Sequence, residues 1–164
     1  MRNKNVKAIA LGGLLAALAV VIMCLGTFIP IATYVCPMIC CIVQFLVLKY
    51  CGKRIAWTWF SAVTILCLLL APDKEASMVF AAIGFYPLIK QVLERSRLHV
   101  LLKLIYFNCA VLACYSILIY LMGMPHLLEE NMEFGMWGLA LLLVLGNVTF
   151  FFLDRVLNII AKRK

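Results

Sequence analysis

The stretch Ala71-Pro72-Asp73-Lys74-Glu75, continuing through Ala81-Ala82-Ile83-Gly84-Phe85-Tyr86-Pro87-Leu88-Ile89-Lys90, lies near mid-chain between two strongly apolar halves. Pro72 and the three charges after it end the apolar run Ile65 to Ala71, so the first part reads as a polar turn. The second part is an apolar run that carries Gly84 and Pro87 in its interior. A water-soluble helix rarely tolerates both, whereas a membrane helix accommodates them by giving the freed backbone groups new partners. Pro87 has no N–H to offer the carbonyl of Ile83, which must therefore find another donor or line a cavity. The stretch predicts a loop followed by a kinked membrane-spanning helix.

Composition agrees. The chain has 164 residues, of which 66% are hydrophobic and 13% charged, with a mean hydropathy of +1.09. A water-soluble domain is usually about 45–50% apolar. The expectation is an all-α polytopic membrane protein forming one domain over residues 1–164, with no separate water-soluble part. Apolar runs at Val6 to Gly26, Pro30 to Tyr50, Ile55 to Ala71, Ala76 to Leu93, Val100 to Gly123 and Gly135 to Ile160 give six spans. Each approaches or exceeds the length that crosses a hydrocarbon core about 30 Å thick. The third is the shortest.

Six spans place the loops alternately on two sides, and the charges sort accordingly. One side takes Arg2, Lys4, Lys7, Lys49, Lys53, Arg54, Lys90, Arg95, Arg97, Lys103, Arg155, Lys162, Arg163 and Lys164; the other takes only Lys74 among the basic residues. The positive-inside rule then makes both termini cytoplasmic. Asp73, Glu75, Glu129, Glu130 and Glu133 fall on the opposite face. The net charge of +8 is thereby explained by orientation and by contact with anionic lipid headgroups, and no nucleic acid partner is implied.

Eight cysteines, at 24, 36, 40, 41, 51, 67, 109 and 114, lie almost entirely within apolar runs without a CxxC pair or a nearby histidine. They read as free thiols packed as small hydrophobes. Cys36 and Cys40, one turn apart, make an incomplete set for a soft metal, so neither metal nor cofactor is expected. Nor does the sequence read as an enzyme. Glu129 and Glu130 are adjacent and point apart on any helix, Ser61, Ser77, Ser96 and Ser116 have no evident base, and no phosphate-binding loop is present.

The first span carries Ala8, Gly12 and Ala16 at spacing four, flanked by Gly13 and Ala17, which makes two adjacent rows of small residues. Such rows allow another helix to approach closely, either within the protein or as a docking face for a second membrane protein. In its six spans, its length, its cytoplasmic termini and this row within Ala8-Ile9-Ala10-Leu11-Gly12-Gly13-Leu14-Leu15-Ala16-Ala17-Leu18-Ala19, the chain resembles the substrate-binding S components of energy-coupling factor (ECF) vitamin transporters. Their row is of the AxxxA type; Gly12 departs from it. The resemblance implies capture of a vitamin or other small nutrient in a bacterial plasma membrane. It also implies a transmembrane coupling subunit and two ATPase subunits as partners, the coupling subunit docking on Ala8, Gly12, Gly13, Ala16 and Ala17. The alternative is a non-enzymatic scaffold similar to the rod-shape protein MreD, also a small six-helix chain.

Two sets of residues are candidates for contact with a solute. Asp73 and Glu75 suit the N-terminus of the fourth span as capping carboxylates, while Lys74 beside them is the lone basic residue expected on that face and would attract an anionic group. At about 1.5 Å per residue, Gln44, Thr64, Tyr86, Asn108 and Asn147 all come near the bilayer midplane, as ligand groups or as hydrogen bonds between helices. The expected site is a cavity in the outer half, bounded by the fourth, fifth and sixth spans. Tyr86, Asn108 and Asn147 would form its floor, with Tyr34, Lys74, Glu75, Tyr120 and Trp137 above them.

Overall fold

The computed structural model describes residues 2–26, 32–95, 97–120 and 135–162, with side chains for 6–26, 32–95, 97–117 and 144–162. These residues form seven α-helices: α1 (Arg2–Gly26), α2 (Ala32–Cys51), α3 (Lys53–Leu70), α4 (Lys74–Ile83), α5 (Tyr86–Leu93), α6 (His99–Tyr120) and α7 (Gly135–Lys162). Because α4 and α5 together make one span, Lys74–Leu93, six segments are long and apolar enough to cross a membrane. The protein is an all-α, multi-pass membrane protein. Large apolar side chains such as Leu14, Leu69, Leu112 and Phe152 are exposed on the helix surfaces, as expected where the surrounding solvent is hydrocarbon.

Two compact units result, Met1–Arg95 and Ser96–Lys164. In the first, α1 packs on α2 and α3, and α2 also packs on α4 and α5. Since lipid supplies no hydrophobic force to press helices together, close packing and hydrogen bonds must hold them. The small residues of α1 serve this end. Gly12 is buried, and its carbonyl accepts a bond from Trp59 Nε1 of α3 at 3.0 Å. The thiols of Cys40 and Cys51 on α2 donate to the carbonyls of Ala19 (3.6 Å) and Ala8 (3.3 Å). Near the other end of α1, a side chain on Gly26 would stand 2.6 Å from the Cys36 sulfur, so α2 approaches there only because Gly26 lacks one. Gly52, at φ 90°, makes the turn from α2 to α3 in a conformation that other residues rarely adopt.

The α4–α5 junction follows from the residues that mark it in the sequence. Helix α4 closes at Ile83, Gly84 and Phe85 remain right-handed, and α5 restarts with Pro87 in its first turn. Proline is tolerated there because the first-turn N–H groups have no helical acceptor. A Cβ on Gly84 would come within 2.6 Å of the Phe80 carbonyl and about 3 Å from the rings of Phe60 and Phe80. Phe60 of α3 packs on Phe80 and Phe85, and Trp57 meets Phe85 edge to face at 5.3 Å. Gly84 thus lets α3 close on the break with aromatic rings.

In the second unit α6 packs on α7. Phe107 and Phe150 stack at 4.8 Å, and Gly146 leaves room for the Phe107 ring.

Candidate functional site

At the acidic end of the first unit, Asp73 caps α4 by accepting from the backbone N–H of Ala76 at 3.0 Å. Its second carboxylate oxygen accepts from Thr33 Oγ1 of α2 at 2.9 Å. Tyr34, partly exposed, donates to Glu75 at 3.0 Å. Two side-chain bonds therefore tie the outer turn of α2 to that of α4. Lys74 turns the other way and closes the C-terminus of α3, donating to the carbonyls of Leu68 (2.8 Å) and Ala71 (2.9 Å). A lysine at a helix C-terminus satisfies carbonyls that have no partner within the helix. Lys74 thus has a structural task that its isolation in the sequence does not suggest.

The contacts of the first unit also fix which residues share a level. Helices α2 and α4 run in the same direction from the Thr33–Asp73 bond, so Gln44 and Gly84, each eleven residues further on, lie about 16 Å below it. Helix α1 runs the opposite way. From the Cys40–Ala19 bond, one turn brings Gln44 level with Leu15, and the Gly12–Trp59 bond brings Leu15 level with Ala62 of α3. Thr64 lies two residues beyond Ala62 and so higher. Gln44 is therefore level with the Gly84 end of the α4–α5 break, while Thr64 lies about one turn above it, because the Ser77–Cys67 bond sets Thr64 level with Phe80 and Phe60 meets Gly84.

Gln44 is fully buried, and neither its Oε1 nor its Nε2 has a hydrogen-bond partner; Thr64 Oγ1 is likewise buried without one. These are the buried side-chain polar atoms without a partner among the described residues. Such groups are uncommon, because each has given up its hydrogen bonds to water without replacement. Thr64 stands one turn from Phe60 and so lies on the face of α3 that meets the break. Two residues past Gly84 the chemistry changes. Tyr86 is fully buried, and Lys90 packs 5.5 Å from its ring centroid while pairing with Glu94 at 3.1 Å.

In the second unit the interior polar groups meet each other. Asn108 and Asn147 exchange two amide bonds at 3.3 Å. Near the basic end of α6, Lys103 is buried and pairs with Asp154 of α7 at 2.8 Å, while Asn158 adds a bond to the same carboxylate oxygen. Sequence reasoning places Lys103 among the loop charges and passes over Asp154 altogether. The available signal was an acid within the apolar run that forms the last span, where an unpaired charge would be costly.

Of the residues expected at a solute site, the fold joins Tyr34 to Glu75 and Asn108 to Asn147, and puts Tyr86 in the first unit. The side chains of Tyr120 and Trp137 lie outside the described residues, as does the acidic loop with His126, Glu129, Glu130 and Glu133. Of the two small-residue rows, Ala8, Gly12 and Ala16 turn at least partly inward. Gly13 and Ala17 are exposed, and a side chain on Gly13 would meet nothing within 4 Å. All eight cysteines are free, and no group of metal-ligating side chains occurs among the described residues. Comparison with known proteins finds no matching family model, curated protein or solved structure.

Proposed function

We propose that the chain is the solute-capture subunit of an ECF-type importer in a bacterial plasma membrane, working with a transmembrane coupling subunit and two ATPase subunits. The observation that carries this reading is the Gln44 amide, enclosed and without a hydrogen-bond partner, level with a helix break in α4–α5. A scaffold gains nothing from such a group, since an apolar residue of the same size would pack there at lower cost. A capture protein requires it. The outer segment α4, hinged at Gly84 and Phe85, is the element that opens. The Thr33–Asp73 and Tyr34–Glu75 bonds to α2, with the Lys74 and Ser77 bonds to α3, hold it closed.

The exposed Gly13–Ala17 row of α1 is the docking face for the coupling subunit in this reading, because a helix can approach it closely. The test is purification of the tagged protein from native membranes in mild detergent. Recovery of a coupling subunit with a pair of ATPases is the expected result. Recovery with cell-wall synthesis proteins instead would favour the MreD-like scaffold.

A further inference from the structure

We propose that Gln44 and Thr64 form the recognition end of a site for a neutral solute bearing a secondary amide or lactam edge. The proposal rests on the solute-capture reading and names the chemistry of its solute. A primary carboxamide offers an N–H donor and a C=O acceptor side by side. Both are unengaged in Gln44. The group that satisfies both at once presents the complementary pair, an N–H beside a C=O, as a cis-amide or lactam does. A lone hydroxyl or ketone leaves one half of the pair unsatisfied, and a site built on buried hydrogen-bonding groups rejects ligands that lack the matching atoms. The Thr64 hydroxyl, within about one helical turn of Gln44 in depth on the neighbouring helix, supplies a further donor or acceptor.

Charge at this depth argues for a neutral ligand. A charged solute in the interior of a membrane protein requires an opposite charge beside it. In the first unit Asp73, Lys74 and Glu75 lie at the acidic end, about 16 Å away by the register of α2 and α4, and each is engaged there. Lys90 lies beyond Tyr86 toward the basic end and is held by Glu94. At the level of Gln44 the helices contribute Leu15, Ala62 and Gly84, all without charge.

The probes are 2-pyrrolidinone, which carries the full lactam edge, and N-methyl-2-pyrrolidinone, whose donor is blocked. Each is titrated against the full-length protein in lipid nanodiscs and followed by saturation-transfer NMR. The expected result is saturable binding of 2-pyrrolidinone, at least tenfold weaker binding of the N-methyl compound, and loss of binding in Gln44→Met. Weakened binding in Thr64→Val is expected too, with Ser116→Ala, on the exposed face of α6 in the second unit, unaffected. Circular dichroism checks that each variant is folded, and Gln44→Leu replaces Gln44→Met where the latter is not. Absence of saturable lactam binding, equal binding of the two probes, or retained binding in a folded Gln44→Met variant would overturn the proposal. Recovery of the coupling subunit and ATPases without lactam binding rejects the amide-edge site alone. Lactam binding without those partners supports the site and rejects the importer.

Discussion

The two units treat buried polarity in opposite ways. In Ser96–Lys164, amide meets amide across α6 and α7 at Asn108 and Asn147, and ammonium meets carboxylate at Lys103 and Asp154. In Met1–Arg95, the polar groups near either end are matched, as at Asp73, Lys74 and Lys90, but Gln44 and Thr64 in the middle are not. Paired groups within a membrane act as adhesive between helices, and their removal weakens the fold. Unpaired groups weaken the fold by being present. The difference separates the part of the chain that polarity holds together from the part where polarity is kept at a cost, and such a cost is the usual mark of a functional position.

The largest effect should come from breaking the charge pair. Asp154→Leu removes the carboxylate that pairs with the buried Lys103 ammonium and should cost about 3–5 kcal/mol, while Lys103→Leu/Asp154→Leu together should recover most of the loss. Unfolding in detergent, followed by circular dichroism, measures both. A smaller effect is expected at the helix break, where Gly84→Ala places a methyl group against the Phe80 carbonyl. Overpacking of this kind costs about 1–3 kcal/mol. The same assay reads it, and the wild-type melting temperature in this variant would contradict the close packing of α3 on the break.

The two glycines of α1 sharpen the contrast between interior and exterior. Gly12 is buried under Trp59 with Ile55 3.5 Å from where its Cβ would stand, whereas Gly13 is open. Gly12→Leu should destabilise the isolated protein by about 1–3 kcal/mol. Gly13→Leu should leave its melting temperature unchanged and abolish recovery of the coupling subunit. Full recovery with Gly13→Leu would remove the docking role. The smallest effect belongs to Asn108→Leu, for which hydrogen bonds between membrane helices predict a loss of about 0.6 kcal/mol.

Helix number and span positions were legible in the sequence because membrane crossing imposes a minimum apolar length. The kink was legible too, since Gly84 and Pro87 leave few alternatives. Side-chain partners were not. Lys74 stood out as an isolated charge, yet it closes α3, because the Pro72 turn brings the end of that helix within reach of a flexible lysine. Asn108 and Asn147 were found by depth, but depth does not show which way a residue faces along a helix. Gln44 and Thr64 came from the same count, and their lack of partners emerges only once every neighbour is placed. Asp154 shows in the sequence as an acid within an apolar run, but its partner, 51 residues away, does not.

The claim that Gln44 is kept for a ligand and not for the fold has a direct test in the sign of one stability change. Gln44→Met replaces the amide with an apolar side chain of similar size, and its melting temperature in detergent without ligand is compared with those of wild type and Asn108→Leu. Removing an unsatisfied buried amide should stabilise the empty protein by about 1–3 kcal/mol, opposite in sign to the Asn108 variant. A Gln44→Met protein that melts below the wild type would show that the amide serves the fold, and would contradict the account.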